Sequence, residues 1–288
     1  MLFSLVIPTC NRPDFLESCL NEIASLKKPL SDSAYEVIVT DDSLNDATRL
    51  MMASKFPQFS WLAGPKRGPA ANRNNGAKKA LGSWLIFLDD DVIPDNSILL
   101  AYTNAIIKFP DSRAFEGAIF PDDWNLLKND MSECPVNDTG GCFWSANIAI
   151  AKELFTEIGG FNETFLIAAQ EDQEIFDRIC LRSIVPFLRE AFVIHPVRIV
   201  SLRNKIWKAI PGIKNWSIYS FSKSGKWGTF RMGFLTHLYS LLRNIKTGKP
   251  KSATYNLYVL IVYIPVMLML VLKTIPRRKD NKSILHFI

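Results

Sequence analysis

GPAANRNNGAKKALGSWLIFLDDD, residues 68–91, holds a helix, a strand and three consecutive acids. After a Gly/Pro-bearing loop, residues 68–80 read as a helix, with polar and small side chains and Gly/Pro at its start. Trp84 to Leu88 is a short continuous apolar run, the pattern of a strand buried on both faces. Asp89-Asp90-Asp91 stops it.

The same alternation extends outward. Residues 2–7 form another short apolar run, followed by Pro13 and a helical face of Phe15, Leu16, Cys19, Leu20, Ile23 and Leu26. Val37-Ile38-Val39 is a second strand, running into Asp41-Asp42, and a helix begins near Asp46. Beyond the acids, Ile98, Tyr102, Ala105 and Phe109 share a helical face, and residues 113–120 read as a further strand. Strands alternating with helices predict an α/β fold, doubly wound around a mostly parallel sheet. The chain has no internal repeat or low-complexity tract.

Charge divides the chain. Residues 1–200 carry 18 basic and 27 acidic side chains, net −9, whereas residues 201–288 carry 16 basic and one acidic, net +15. A composition of 48% hydrophobic and 22% charged residues excludes a disordered chain. The expected organisation is a domain over residues 1–200 and a basic appendage over 201–288. Five cysteines, odd in number and without metal-type spacing, read as free thiols in a reducing cytoplasm. The apolar start reads as a strand and lacks the charged leader of a signal peptide.

Ligands of open α/β sheets bind outside the carboxyl ends of strands, and here two such ends carry carboxylates. Three adjacent acids are costly unless something neutralises them. A divalent cation held by carboxylates and phosphate oxygens is one answer, and a solvated acidic turn is the other.

The acids are part of a longer pattern. SLVIPTCNR (4–12), YEVIVTDDS (35–43), the stretch 68–91, GGFNETF (159–165) and QEDQEIFDR (170–178) follow in order at domain-scale spacing. Over residues 1–195 this resembles the family 2 glycosyltransferases of the GT-A fold. The resemblance implies a nucleotide pocket bordered by Pro8, Thr9 and Arg12, with Asp42, and less strongly Asp41, accepting from the base imide. Arg73 matches a basic residue that holds the diphosphate, which suits a permanently charged, two-pronged guanidinium. The D-x-D motif falls on Asp89-Asp90-Asp91. In it Asp91 coordinates Mg²⁺ or Mn²⁺, and Asp89 binds ribose or sits behind the metal. With no small residue between the acids, which carboxylate binds metal stays open. Asp172 aligns with the general base of an inverting transfer, and neighbouring Glu171 raises its pKa by like-charge repulsion. Asp172 equally reads as part of an acidic helix start. Trp144, in GGCFWSANIAI, is either a sugar platform on the acceptor side or a core tryptophan. His195, in VIHPVR, either completes the metal site or is structural.

The appendage mixes aromatic and basic residues. Eight Trp, Tyr or Phe residues lie between positions 201 and 245, among them Trp207, Trp216, Trp227 and Phe230. Phe230, Phe234, Leu238, Leu241 and Ile245 share one helical face. Residues 252–272 carry no charge, are interrupted by Pro265 and are flanked by Lys249, Lys251, Lys273, Arg277, Arg278 and Lys279. This segment spans a bilayer, re-enters it or lies in its interface; basic flanks suit anionic headgroups, and positive charge on both sides sets no orientation. A nucleic-acid partner accounts for the charge but not for the uncharged run. The reading is therefore a metal-dependent inverting glycosyltransferase on the cytoplasmic face of a membrane. It takes a nucleotide-diphosphate sugar as donor and a glycan or lipid-linked hydroxyl as acceptor. The alternatives are a nucleotidyltransferase acting on sugar phosphates, disfavoured by TCNRPDF where a glycine-rich loop belongs, and a non-catalytic membrane scaffold retaining the fold.

Overall fold

The computed structural model describes residues 3–27 and 35–273. The basic flank Arg277-Arg278-Lys279 lies outside them. The chain divides into two compact units, Met1–Trp124 with Cys134–Val197, and Asn125–Glu133 with Arg198–Ile288.

The first unit begins with β1 (Phe3–Thr9), α1 (Pro13–Ala24), β2 (Glu36–Asp41), α2 (Ala47–Lys55), β3 (Ser60–Ala63), α3 (Pro69–Lys79) and β4 (Trp84–Leu88). It continues with β5 (Ile93–Pro94), α4 (Ile98–Lys108) and β6 (Ala114–Pro121). The second unit contributes β7 (Ser132–Glu133), and the chain then returns to the first as β8 (Asn147–Ala151), α5 (Lys152–Glu157), α6 (Glu171–Cys180) and β9 (Phe187–His195). The sheet order is β3-β2-β1-β4-β8-β6-β9-β5. β3, β2, β1 and β4 run parallel, as do β6 and β9, whereas β8 is antiparallel to both β4 and β6. This is the GT-A architecture, a mostly parallel sheet flanked by helices.

Strand alternation sorts the core into two layers. Leu5, Ile7, Val37, Val39, Ile86 and Leu88 face α1, α2 and α4, while Val6, Ile38, Leu85 and Phe87 face α3, α5 and α6. Both faces are covered, which is why β1 and β4 read as unbroken apolar runs. Asn147 serves the irregular middle of the sheet, where the β6–β9 register shifts between Gly117 and Ala118. Its amide donates to the carbonyls of Ala118 (2.9 Å) and Ala191 (2.8 Å), and its oxygen accepts from Tyr102 (2.8 Å). Helix α3 is apolar on no broad face; it lies close to β1 because Gly76 lacks a side chain.

In the second unit β7 pairs antiparallel with β10 (Arg198–Ile199). A long helix α7 (Leu202–Lys246) and α8 (Pro250–Lys273) follow. α7 breaks at Gly225, whose φ of 66° and ψ of 171° are not helical. Ser201 caps its start by accepting from the Asn204 amide at 3.2 Å. The α8 start is tied to Asp130, which accepts from the Lys251 amide (2.9 Å). Ala209, Ile213, Val259, Tyr263 and Met267 form this unit's own core.

A β-carbon at Gly76 would stand 2.5 Å from Val6 Cγ1. In an exposed helix Gly→Ala gains about 0.5–1 kcal/mol, but here the overpacking cost of about 1–3 kcal/mol exceeds it. Gly76→Ala should therefore lower the midpoint of urea unfolding, measured by circular dichroism.

Candidate active site

The carboxyl ends of β1, β2 and β4 border a cleft of about 470 Å³. Pro8, Thr9 and Arg12 line it beside Asp42, Lys66, Asn72, Arg73 and Asp89. Its floor is held by side-chain amides. Asn72 donates to the carbonyls of Thr40 (2.9 Å) and Thr9 (3.3 Å), locking the ends of two strands together. Asp42 accepts from the Lys66 amide at 2.7 Å. Burial pushes its carboxyl up, and the Lys66 and Gly68 amides oppose that. Gly68 (φ +88°) suits this loop because a β-carbon would collide with the Leu166 carbonyl. Asp41 does a different job. It accepts from the Ser43 amide (2.9 Å) and from Trp61 Nε1 (3.3 Å), and it is not part of the cleft wall.

The three acids after β4 separate by direction. Asp90 is fully buried, accepts from the Thr9 hydroxyl at 2.6 Å and pairs with Arg12. Asp89 and Asp91 join His195, the last residue of β9, in a group whose ligand atoms all lie within 4.8 Å of one another. Arg12 Nη1 also reaches Asp91 at 3.2 Å, and His195 Nε2 lies 3.5 Å from Asp91. Burial lowers the His195 pKa, although Asp89 opposes this, so the imidazole is neutral at physiological pH and free to act as a ligand. Two carboxylates and an imidazole are donors that fit Mn²⁺ or Mg²⁺.

Arg73 is buried and spans two acids, Asp89 at 2.9 Å and Glu171 at 3.3 Å, with its guanidinium 5.6 Å from the Phe161 ring. Burial works against its charge, but Asp89, Asp172 and Glu171 outweigh it and raise its pKa. Glu171 is buried as well and accepts from the Ala169 amide at 2.7 Å. Beside it Asp172 is half-buried, with Oδ1 shielded from solvent and unbonded. Burial first, then Glu171, pushes the Asp172 carboxyl up to about 7, against the pull of Arg73 and a hydrogen bond from Ser145. A carboxyl of that pKa is suited to take a proton near neutral pH.

Sequence reasoning missed two supporting residues. Ser145, next to Trp144, is the residue of GGCFWSAN that meets Asp172. Trp144 itself is half-buried against the core layer of α1 and α4. Glu116, buried in β6, gathers the loop before β8. It accepts from the amides of Gly141 and Cys142, both at 2.7 Å, from the Phe143 amide, and from the Asn137 side chain at 2.8 Å. An acid inside an otherwise apolar strand was the available signal.

This constellation sits at the strand ends of a GT-A fold, the fold of glycosyltransferases. Residues 4–114 match the family model described as Glycosyl transferase family 2. An uncharacterized glycosyltransferase of Haemophilus influenzae is 32% identical over 185 residues, covering 56% of each chain. The poly(ribitol-phosphate) beta-glucosyltransferase of Bacillus spizizenii is 29% identical over 109 residues, 36% of this chain and 17% of that one. The chain thus spans little more than half, or much less, of the length of these curated relatives. Among solved structures, the mannosyltransferase PcManGT from Pyrobaculum calidifontis, in complex with GDP-Man and Mn²⁺, has a TM-score of 0.58 at 16% identity. That alignment covers 92% of this chain and 86% of PcManGT, and at this identity it speaks for the fold alone.

The raised Asp172 pKa has a stability consequence. The folded state holds this proton up to about pH 7, while the unfolded chain releases it near 3.8, so ionising Asp172 costs stability progressively between those values and fully above them. Asp172→Asn removes that cost. Its melting temperature relative to the natural protein should rise from pH 4 to pH 8, and a difference flat across that range would show that Asp172 titrates normally.

Proposed function

We propose that the protein is an inverting glycosyltransferase that moves a sugar from a nucleotide-diphosphate donor to a hydroxyl of a glycan or lipid-linked acceptor. The process served is cell-surface polysaccharide or glycolipid synthesis. The observation that carries the reading is the convergence of Asp91 and His195 on Asp89, which lines the cleft, with Asp172 close enough to feel the charge of Asp89. The Bacillus spizizenii relative, named for glucosyl transfer to poly(ribitol phosphate), supports a polymeric or lipid-borne acceptor.

Within this reading, Asp42 accepts a hydrogen bond from the donor base at the far end of the cleft. Asp41 supports it from behind through Ser43 and Trp61. Pro8, Thr9 and Arg12 border the nucleotide. Arg73 exchanges its Asp89 contact for a diphosphate oxygen, which two-pronged guanidinium chemistry allows. Asp91 and His195 would hold Mg²⁺ or Mn²⁺, with Asp89 beside them at the ribose, and Asp90 locks the motif in place through Thr9 and Arg12. A cation held there would supply positive charge that offsets the charge on the departing nucleoside diphosphate. Asp172 takes the proton from the acceptor hydroxyl as that oxygen bonds to the anomeric carbon. The bond to the diphosphate breaks on the opposite side, so configuration inverts. Glu171 sets the Asp172 pKa, and Trp144 lies on the acceptor side. Residues 1–200 are the catalytic domain, and 201–288 place it on the cytoplasmic face of a membrane, monotopically or by one span.

Asp172→Asn should lower kcat/KM by about 10²–10⁴-fold while calorimetric binding of a nucleoside diphosphate stays near the natural value. Full transfer activity in this variant would refute the assignment. Chelation of divalent ions should abolish transfer, and added Mn²⁺ or Mg²⁺ should restore it in the natural protein but not in Asp91→Asn. Undiminished turnover in chelator would overturn the metal's part.

A further inference from the structure

We infer that the helical unit of α7 and α8 lies in the plane of one membrane leaflet, inserting an apolar face beneath anionic headgroups, and does not cross the bilayer. This deepens the membrane placement proposed above and rests on it. By length and composition alone, Pro250–Leu270 is able to span. What surrounds it argues otherwise.

α8 has two different faces. One is the packed side, Val259, Tyr263 and Met267, which meets α7. The other is exposed and is apolar too: Leu257, Ile261, Ile264 and Leu268, with Ile261 64% exposed. A helix on the surface of a water-soluble unit carries polar residues on its outer face. The half of α7 beyond Gly225 repeats the pattern, exposing Met232, Leu235, Tyr239 and Leu242 at spacings of three and four. Two exposed apolar stripes on helices that pack together need an apolar medium.

Charge and polar groups packed beside α8 argue against a span. Tyr263, near the middle of Pro250–Leu270, receives α7 from both sides of its break. Its ring lies 6.2 Å from Trp216 and 5.9 Å from Phe230, and its hydroxyl donates to the Phe230 carbonyl at 3.3 Å. Exposed Arg231 follows Phe230, and exposed Lys214 precedes Trp216 by two residues. If α8 crossed the membrane, both charges would travel with Tyr263 toward the hydrocarbon centre, where charged side chains are strongly disfavoured. Buried Asn215, Ser217 and Asn256 would follow them. Lying flat, the unit keeps every one of these at headgroup depth. The long Arg231, Arg243 and Lys246 side chains then reach phosphates while the stripes between them insert. With one acid in residues 201–288 against 16 basic residues, the fitting surface is an anionic bilayer.

The test uses the full chain with a C-terminal epitope tag and sealed vesicles of phosphatidylcholine, with or without phosphatidylglycerol. The protein should float with vesicles containing phosphatidylglycerol, less so as salt is raised, and protease added outside should remove the tag completely. Ile261→Glu with Leu268→Glu should reduce flotation by about tenfold, whereas Ile107→Glu, on α4, should leave it unchanged. Circular dichroism and light scattering of each variant check folding and oligomeric state. Flotation with a protected tag would overturn the in-plane orientation and leave membrane placement standing. No flotation at all would overturn both, as would a dimer in solution that Ile261→Glu splits. Neither result touches the glycosyl transfer, which is assayed separately.

Discussion

Five carboxylates, Asp89, Asp90, Asp91, Glu171 and Asp172, meet at one edge of the sheet largely out of water, and most of the local architecture manages their repulsion. Two arginines do most of this. Arg12 pairs with Asp90 and Asp91, and Arg73 pairs with Asp89 and Glu171. Removing one partner from a buried ion pair typically costs about 3–5 kcal/mol, because the other charge is left uncompensated. Buried Arg73 therefore belongs to the fold as much as to the site. One negative charge is not fully balanced. Asp172 has no arginine of its own and rests on a serine, and its carboxyl is the one pushed toward neutrality.

The direction of each acid follows from backbone geometry. The chain turns just after β4, and in that turn Asp90 goes into the protein toward Thr9 while Asp89 and Asp91 both reach toward His195. A D-x-D spacing needs no small middle residue if that residue has a buried partner, and Thr9 with Arg12 provides it. The helix carrying Asp172 is set by a left-handed Gln170 (φ 65°) before it and by Gln173, which donates to the Cys142 carbonyl at 2.9 Å. Glu116 fixes that same loop from below through three consecutive amides. The loop before β8 is thus held by a buried carboxylate that has no place in the proposed chemistry.

Charge also organises the chain at large scale. Acids concentrate where strand ends converge, and bases concentrate where helices expose apolar stripes. The net charge of +6 averages over a unit suited to a cation and a unit suited to anionic lipid.

Much of this was legible in the sequence. Periodicity alone placed β1, α1, β2, β4 and α4, because each is either buried on both faces or amphipathic, and such burial writes itself into residue order, whereas α3 showed only in the Gly and Pro at its start. The clusters after β2 and β4 were equally visible, since strand ends in α/β sheets are where ligands bind. Three things were not. β8 runs antiparallel between parallel neighbours, and nothing in NIAIA distinguishes its direction, because alternation is the same either way. The roles within each cluster depended on partners distant in the chain, Trp61 for Asp41 and Thr9 for Asp90; His195, which the resemblance offered either as a metal ligand or as structural, joins Asp89 and Asp91. The exposed face of α8 was likewise hidden, since a helix apolar all round does not reveal which side meets its neighbour. By itself the sequence determined which segments are strands, which are helices and where negative charge collects, because those depend on local pattern. Only the tertiary structure decided which carboxylates are neutralised and which remain available, because pairing is settled by distance in space, and distance depends on the whole sheet.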